Sequence, residues 1–130
     1  MKISLISTYE LGRQPFGLAS PAAWLREAGF RVETADLAID KFHQDIVEDS
    51  ELVCFYVPMH TATKLAVEVL RKARESNPEI LTCFYGLYAP MNADYLRSNG
   101  ADFIIGGEFE SELVTLAQKV QSRSLNGKSS

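Results

Sequence analysis

The sequence predicts a parallel α/β fold: one five-stranded sheet covered by helices on both faces, a three-layer α/β/α sandwich. Two observations predict it. Short apolar runs rich in Val, Ile, Phe and Tyr, at 2–7, 31–37, 52–57, 80–85 and 102–105, alternate with longer segments of helical period. The first, third and fourth runs are apolar on both faces, as strands covered from each side must be. A strand order of 2-1-3-4-5 makes the third and fourth strands neighbours. The repeated triplets Cys54-Phe55-Tyr56 and Cys83-Phe84-Tyr85 then occupy equivalent places, and Tyr56 and Tyr85 end side by side.

The connecting helices carry their own start and stop signals. Ser20-Pro21 offers an N-cap followed by proline at the first helical position, Trp24, Leu25 and Ala28 are expected to face inward, and Gly29 supplies the C-terminal turn. Phe42 and Ile46 mark a helix between the second and third strands. The segment 62–75 puts Leu65, Ala66, Val69, Leu70 and Ala73 on one stripe, opposite Lys64, Glu68, Arg71, Lys72 and Glu75. Asn92 can cap a short helix bearing Tyr95 and Leu96, which Gly100 ends. The last helix is expected at 110–121, with Leu113, Leu116, Ala117 and Val120 inward. Beyond it, 122–130 is polar and without period, a disordered tail or the start of a linker, so the domain is placed at 1–121.

Composition narrows the function classes. The 130 residues suit one domain, 46% hydrophobic and 23% charged. Thirteen basic against seventeen acidic residues leave a net charge of −4, which argues against a phosphate-backbone partner. No apolar run approaches the roughly 18 residues of a membrane span, and the N-terminus lacks the apolar length and cleavage site of a secretory signal. Cys54 and Cys83 lie inside apolar runs and read as reduced thiols of a cytoplasmic core. The length leaves little room for a catalytic barrel beside this fold.

In open α/β sheets ligands bind beyond the carboxyl ends of the strands, so the loops after residues 7, 57, 85 and 105 are the ones to inspect. The first loop, Thr8-Tyr9-Glu10-Leu11-Gly12-Arg13-Gln14-Pro15-Phe16-Gly17, has no G-x-G-x-x-G for a dinucleotide. Gly12 and Gly17 have Walker-like spacing, but Leu18-Ala19 stands where Lys-Ser/Thr is required. The third strand ends Tyr56-Val57-Pro58, without the aspartate a response-regulator receiver needs. The first loop is also unlike the Ser/Thr-rich phosphate loop of a flavodoxin. His43 and His60 are not at metal-ligand spacing from either cysteine, and no G-x-S-x-G is present. What the loops do offer is a nonpolar, glycine-punctuated floor: Tyr56, Pro58, Met59, Gly86, Leu87, Tyr88, Gly106 and Gly107. It is flanked by Thr8, Glu10, Thr61 and Glu108, which can hydrogen-bond a ligand's polar edge, and His60 lies at the edge of the same site. Such a floor suits a large flat partner.

Three stretches carry a resemblance. Gly100-Ala101-Asp102-Phe103-Ile104-Ile105-Gly106-Gly107-Glu108-Phe109-Glu110 closes the domain. The helix at 65–77 with Pro78 leads to the strand ending Tyr85-Gly86, and the long first loop, 8–19, opens it. Over roughly residues 1–120 the chain resembles the N-terminal cobalamin-binding domain of radical S-adenosylmethionine proteins, a flavodoxin-like (Rossmann-like) domain. The resemblance implies a corrin ring resting on the strand ends and a nucleotide tail reaching between sheet and helices. Gly106 and Gly107 would line the tail channel, with 56–61 and 86–88 flanking the ring. The candidate cofactor-binding set is thus Thr8, Tyr9, Glu10, Tyr56, Pro58, Met59, His60, Thr61, Gly86, Leu87, Tyr88, Gly106, Gly107 and Glu108. Glu108 and Glu110 would face a following domain.

Two departures qualify what is implied. The D-x-H-x-x-G motif, whose histidine ligates cobalt in mutase relatives, is absent, and so is the C-x-x-x-C-x-x-C motif of an iron–sulfur cluster. The expectation is therefore a cobalamin-binding module, non-catalytic by itself, working with a radical S-adenosylmethionine catalytic domain in cis or in trans. Its length is about that of the cofactor domain alone. Two alternatives stand beside it. One is an interaction domain that keeps the fold but fills the pocket with Tyr56, Met59, Tyr85 and Tyr88; the other is a small flavin-binding protein.

Overall fold

The five apolar runs form five strands. β1 (Lys2–Ser7), β2 (Arg31–Asp36), β3 (Ser50–Tyr56), β4 (Leu81–Tyr85) and β5 (Phe103–Ile105) build one sheet in the order β2-β1-β3-β4-β5, with every neighbouring pair parallel. This is the expected order. The computed structural model describes residues 1–8, 16–37, 44–57, 60–107 and 109–129. Among them are α1 (Phe16–Glu27), α2 (His60–Ser76), α3 (Ala93–Ser98) and α4 (Phe109–Ser129), with 3-10 turns at Gln44–Ile46 and Pro90–Asn92. No helix among the described residues is long and apolar enough to cross a membrane.

Alternation along the strands sorts the core into two layers. On one face Ile6, Val53, Phe55 and Phe84 pack with Ala66, Val67, Val69, Leu70 and Ala73 of α2 and Leu96 of α3. On the other, Ile3, Leu5, Leu52, Cys54, Cys83 and Tyr85 pack with Leu18, Ala22 and Leu25 of α1 and with Phe109, Leu113 and Ala117 of α4. The triplet echo falls in register, Cys54 beside Cys83, Phe55 beside Phe84 and Tyr56 beside Tyr85. Phe55 and Phe84 stack with centroids 4.9 Å apart. Both thiols are free and buried.

Four local readings need correction. Ser20-Pro21 does not begin α1, which starts at Phe16, and Pro21 lies inside it. The earlier start comes with an inward stripe of Leu18, Pro21, Ala22 and Leu25, while Ala28 is exposed and Trp24 is 49% exposed. In α2 the stripe likewise runs through Thr63, Ala66, Val67 and Leu70, leaving Leu65 at the surface. Asn92 precedes α3 but makes no side-chain cap; its Nδ2 donates to the carbonyl of Tyr88 at 2.8 Å. Finally, α4 continues past Gln121 to Ser129. Among its described side chains the last buried one is Val120, and residues 121–123 are exposed. Polarity alone does not stop a helix, and this segment has no proline.

Helix ends and β5 are fixed by specific bonds. The N–H of Phe30 reaches the carbonyl of Leu25 at 3.1 Å, and that of Ala101 reaches Leu96 at 3.0 Å, the six-to-one bond of a Schellman ending. Asp102 Oδ2 accepts from the Thr82 backbone N–H at 2.9 Å and from Arg74 Nη2 at 3.0 Å. Arg74 Nη2 also donates to the Gly100 carbonyl at 2.8 Å. This clamp ties the start of β5 to β4 and α2, and so sets where β5 delivers the chain at the carboxyl edge.

Candidate functional site at the carboxyl edge of the sheet

The strand ends are bridged by the segment that follows β4. The N–H of Gly86 donates to the carbonyl of Ile105 at 3.1 Å, and that of Tyr88 donates to Val57 at 3.3 Å. The N–H of Val57 in turn reaches Tyr85 at 2.7 Å. Residues 86–91 therefore lap across the ends of β3, β4 and β5. From this strap Leu87 is 70% exposed and Met91 is 76% exposed, while Tyr88 packs partly onto the core. Tyr95, just beyond on α3, adds a partly exposed ring. Apolar groups are thus displayed beside the strand ends, where an open α/β sheet binds ligands.

Beneath the strap lies the last row of side chains on the α1/α4 face. Register aligns Ser7, Tyr56, Tyr85 and Ile105 across four strands. Tyr56 and Tyr85 have ring centroids 5.4 Å apart. Phe109, the first residue of α4, stands edge-on to both, at 4.9 Å from Tyr85 and 5.9 Å from Tyr56. Tyr85 is fully buried and Phe109 nearly so. At the same level Ser20 Oγ of α1 donates to Glu110 Oε1 of α4 at 3.2 Å. Among the described residues Ser7 Oγ and, on the other face, Thr63 Oγ1 are buried with no hydrogen-bond partner.

Burial also governs the ionisable groups of this layer. It pushes the Tyr85 phenol well up, and the neighbouring Cys54, Cys83, Tyr56 and Glu110 add to the shift. The Cys83 thiol is likewise raised, by burial first and then by its hydrogen bond and charge interaction with Cys54. In both groups burial favours the neutral form. Among the described residues no group of three or more His, Cys, Asp or Glu side chains is placed to hold a metal ion.

The glycines serve the protein's own packing at two of three positions. Gly86 has φ +117, and a Cβ there would lie 2.8 Å from the carbonyl oxygen of Val57 and 3.2 Å from the Tyr56 ring. A Cβ on Gly106 would overlap the Pro90 ring. At Gly107, with φ +61, no atom of the described residues lies within 4 Å of a Cβ. The expected contributors therefore divide. Thr8, Tyr56, Gly86, Leu87, Tyr88, Gly106 and Gly107 are brought to this one edge, and His60 and Thr61 open α2. Tyr9, Glu10, Pro58, Met59 and Glu108 lie outside the described residues.

These residues can be tested against the group the resemblance implies. The exposed strap suits a flat apolar ring. Among the described residues a nucleotide tail between sheet and helices does not fit: Tyr56, Tyr85 and Phe109 occupy that layer, and Pro90 the space beside Gly106.

Three contributors escaped sequence reasoning. Phe109 was readable in part, since it lies four residues before the inward Leu113 and so on the same helical stripe. The Ser7 hydroxyl follows from register with Tyr56. The exposure of Met91 left no sequence signal. A separate cavity of about 700 Å³ opens at the opposite, amino edge of the sheet, lined by Glu48, Asp49, Glu51, Asn77 and Glu79 among others. It is remote from the strap.

No protein-family model matches the chain, and no curated protein does. Solved structures do. A CheY-like response regulator receiver domain protein from Methanospirillum hungatei superposes with a TM-score of 0.63 at 18% identity, covering 96% of this chain and 97% of that one. NtrX from Brucella abortus, solved in complex with ATP, gives 0.69 at 18% identity over 98% of this chain, which spans 28% of NtrX. A flavodoxin from the domain Archaea gives 0.59 at 11% identity, covering 93% and 99%. Identities this low describe a shared flavodoxin-like fold and nothing finer.

Proposed function

We propose that this chain is a non-catalytic cofactor-binding module of the cobalamin-domain kind, which holds a corrin ring against the carboxyl edge of its sheet. The observation that carries the proposal is the strap at 86–91, anchored on three strand ends and displaying Leu87 and Met91 to solvent. A corrin is a broad apolar disc with an amide rim, and a shelf of this kind removes apolar area from water on one face of it. The sequence resemblance to cobalamin-binding domains of radical S-adenosylmethionine proteins supports the same reading. On this reading turnover belongs to a partner domain, in cis or in trans.

The test is to mix the purified protein with hydroxocobalamin, aerobically and under reducing conditions, and to desalt it. Corrin absorbance eluting with the protein is expected. Protein free of corrin under both conditions overturns the proposal.

A second reading is favoured by a specific observation, the aromatic layer itself. An interaction domain that has lost its ligand would fill the space above its strand ends with its own side chains, as Tyr56, Tyr85 and Phe109 do. The exposed Leu87, Met91 and Tyr95 would then meet a protein. Failure of the corrin test with a fully folded protein selects this reading, and a yellow flavin spectrum in the purified protein would instead select the small flavin-binding alternative.

A further inference from the structure

We propose that the site takes corrinoids through the ring alone and excludes the nucleotide tail, with Phe109 as the specificity-determining residue; this rests on the corrin-binding reading above. The resemblance implies a tail between sheet and helices, which at Tyr56 and Tyr85 is the space between the sheet and α1/α4. Its floor is the row of Ser7, Tyr56, Tyr85 and Ile105, and its roof is the Phe109 ring, edge-on to both tyrosines. Among the described residues these packed rings occupy the space a benzimidazole nucleotide would need, since protein interiors hold few voids larger than water. Ser20 Oγ to Glu110 Oε1 joins α1 to α4 at the same level. On the β5 side the Pro90 ring occupies the space a Cβ on Gly106 would need. Opening the layer would break aromatic contacts on two sides and expose the fully buried Tyr85. A ligand class follows: corrinoids are bound without regard to the lower nucleotide, incomplete corrinoids included.

The experiment compares dicyanocobinamide with dicyanocobalamin, in excess cyanide, so that the nucleotide is off the cobalt and the probes differ only in the pendant tail. Equilibrium dialysis with the wild-type chain is expected to give affinities equal to within about threefold. In Phe109→Ala the vacated roof admits the tail, so cobalamin is expected to gain about tenfold over cobinamide, whose affinity stays unchanged. If Phe109→Ala does not fold, Phe109→Leu, a milder truncation of the same roof, takes its place, with a smaller gain for cobalamin expected. Wild-type protein that prefers cobalamin by tenfold or more overturns tail exclusion and leaves the corrin reading standing. Binding of neither probe overturns the corrin reading, and tail exclusion with it.

Discussion

Replacing Phe109 with alanine tests how much of the carboxyl-edge layer is packing. The ring is nearly buried, edge-on to Tyr85 at 4.9 Å and to Tyr56 at 5.9 Å. Truncating a buried phenylalanine costs about 3–5 kcal/mol, and aromatic pairs of this geometry contribute about 0.5–1.5 kcal/mol each within that loss. Phe109 opens its helix and sits at the rim of the core, which places it at the lower end, about 3 kcal/mol. With an unfolding entropy of about 2.1 cal/mol/K per residue, a chain of this length loses roughly 4 °C for each kcal/mol, so a fall in Tm of about 11 °C is expected. Urea unfolding followed by far-UV circular dichroism gives the free energy directly, and the midpoint should fall with the slope unchanged. Phe109→Leu, which keeps most of the volume, should cost less than about 1.5 kcal/mol. A loss below about 1 kcal/mol for the alanine variant would mean that the ring is not packed on the tyrosines, and the filled-layer reasoning would fall with it.

Three further predictions address other parts of the structure. Gly86→Ala must place a Cβ 2.8 Å from the Val57 carbonyl at φ +117, whereas Gly107→Ala at φ +61 meets open space. The first should cost about 3 kcal/mol or more and the second about 1 kcal/mol, and equal losses in parallel urea melts would refute the assigned difference. Asp102→Ala removes the acceptor for the Thr82 N–H and for Arg74, leaving a part-buried donor and cation without it. A loss of about 2 kcal/mol is expected, with hydrogen exchange quickening first at β5; unchanged β5 protection would count against the clamp. Stability should also fall in alkali. In the unfolded chain Cys83 ionises near about pH 8.5, while the folded thiol is raised and keeps its proton. Its contribution is full below that pH and lost above it, at about 1.4 kcal/mol per pH unit, and Tyr85 adds to the slope above about pH 10. Cys83→Ala should flatten the profile between about pH 9 and about pH 10, and a wild-type profile already flat there would contradict the assignment.

Sheet order and register were legible because they follow from patterns of period two. The double-sided apolar runs mark buried parallel strands, and the Cys-Phe-Tyr echo aligns β3 with β4 residue by residue. Helix phase was less legible. Ser20-Pro21 has the chemistry of a helix start, yet the preceding turn is also helical and Pro21 is buried on the inward stripe. A shift of one position along a helix rotates the stripe by about 100°, which is why Trp24 and Leu65 lie outside while Pro21 and Val67 lie inside. The site divides in the same way. Its place at the strand ends follows from topology, and the pairing of Tyr56 with Tyr85 follows from register. The closure of the layer by Phe109 and the use of the Gly106 gap by Pro90 depend on contacts between segments far apart in sequence, which no local pattern encodes.

The central claim is that the carboxyl edge of the sheet is the binding surface, and the most direct measurement is an amide-resolved NMR titration of the chain with dicyanocobinamide. Shift changes are predicted at Thr8, Leu87, Tyr88 and Gly107, around the strap and the open glycine turn. Glu48, Asp49 and Glu79, beside the cavity at the amino edge, should stay unmoved. Changes centred on the amino edge, or none at saturating probe, would contradict it.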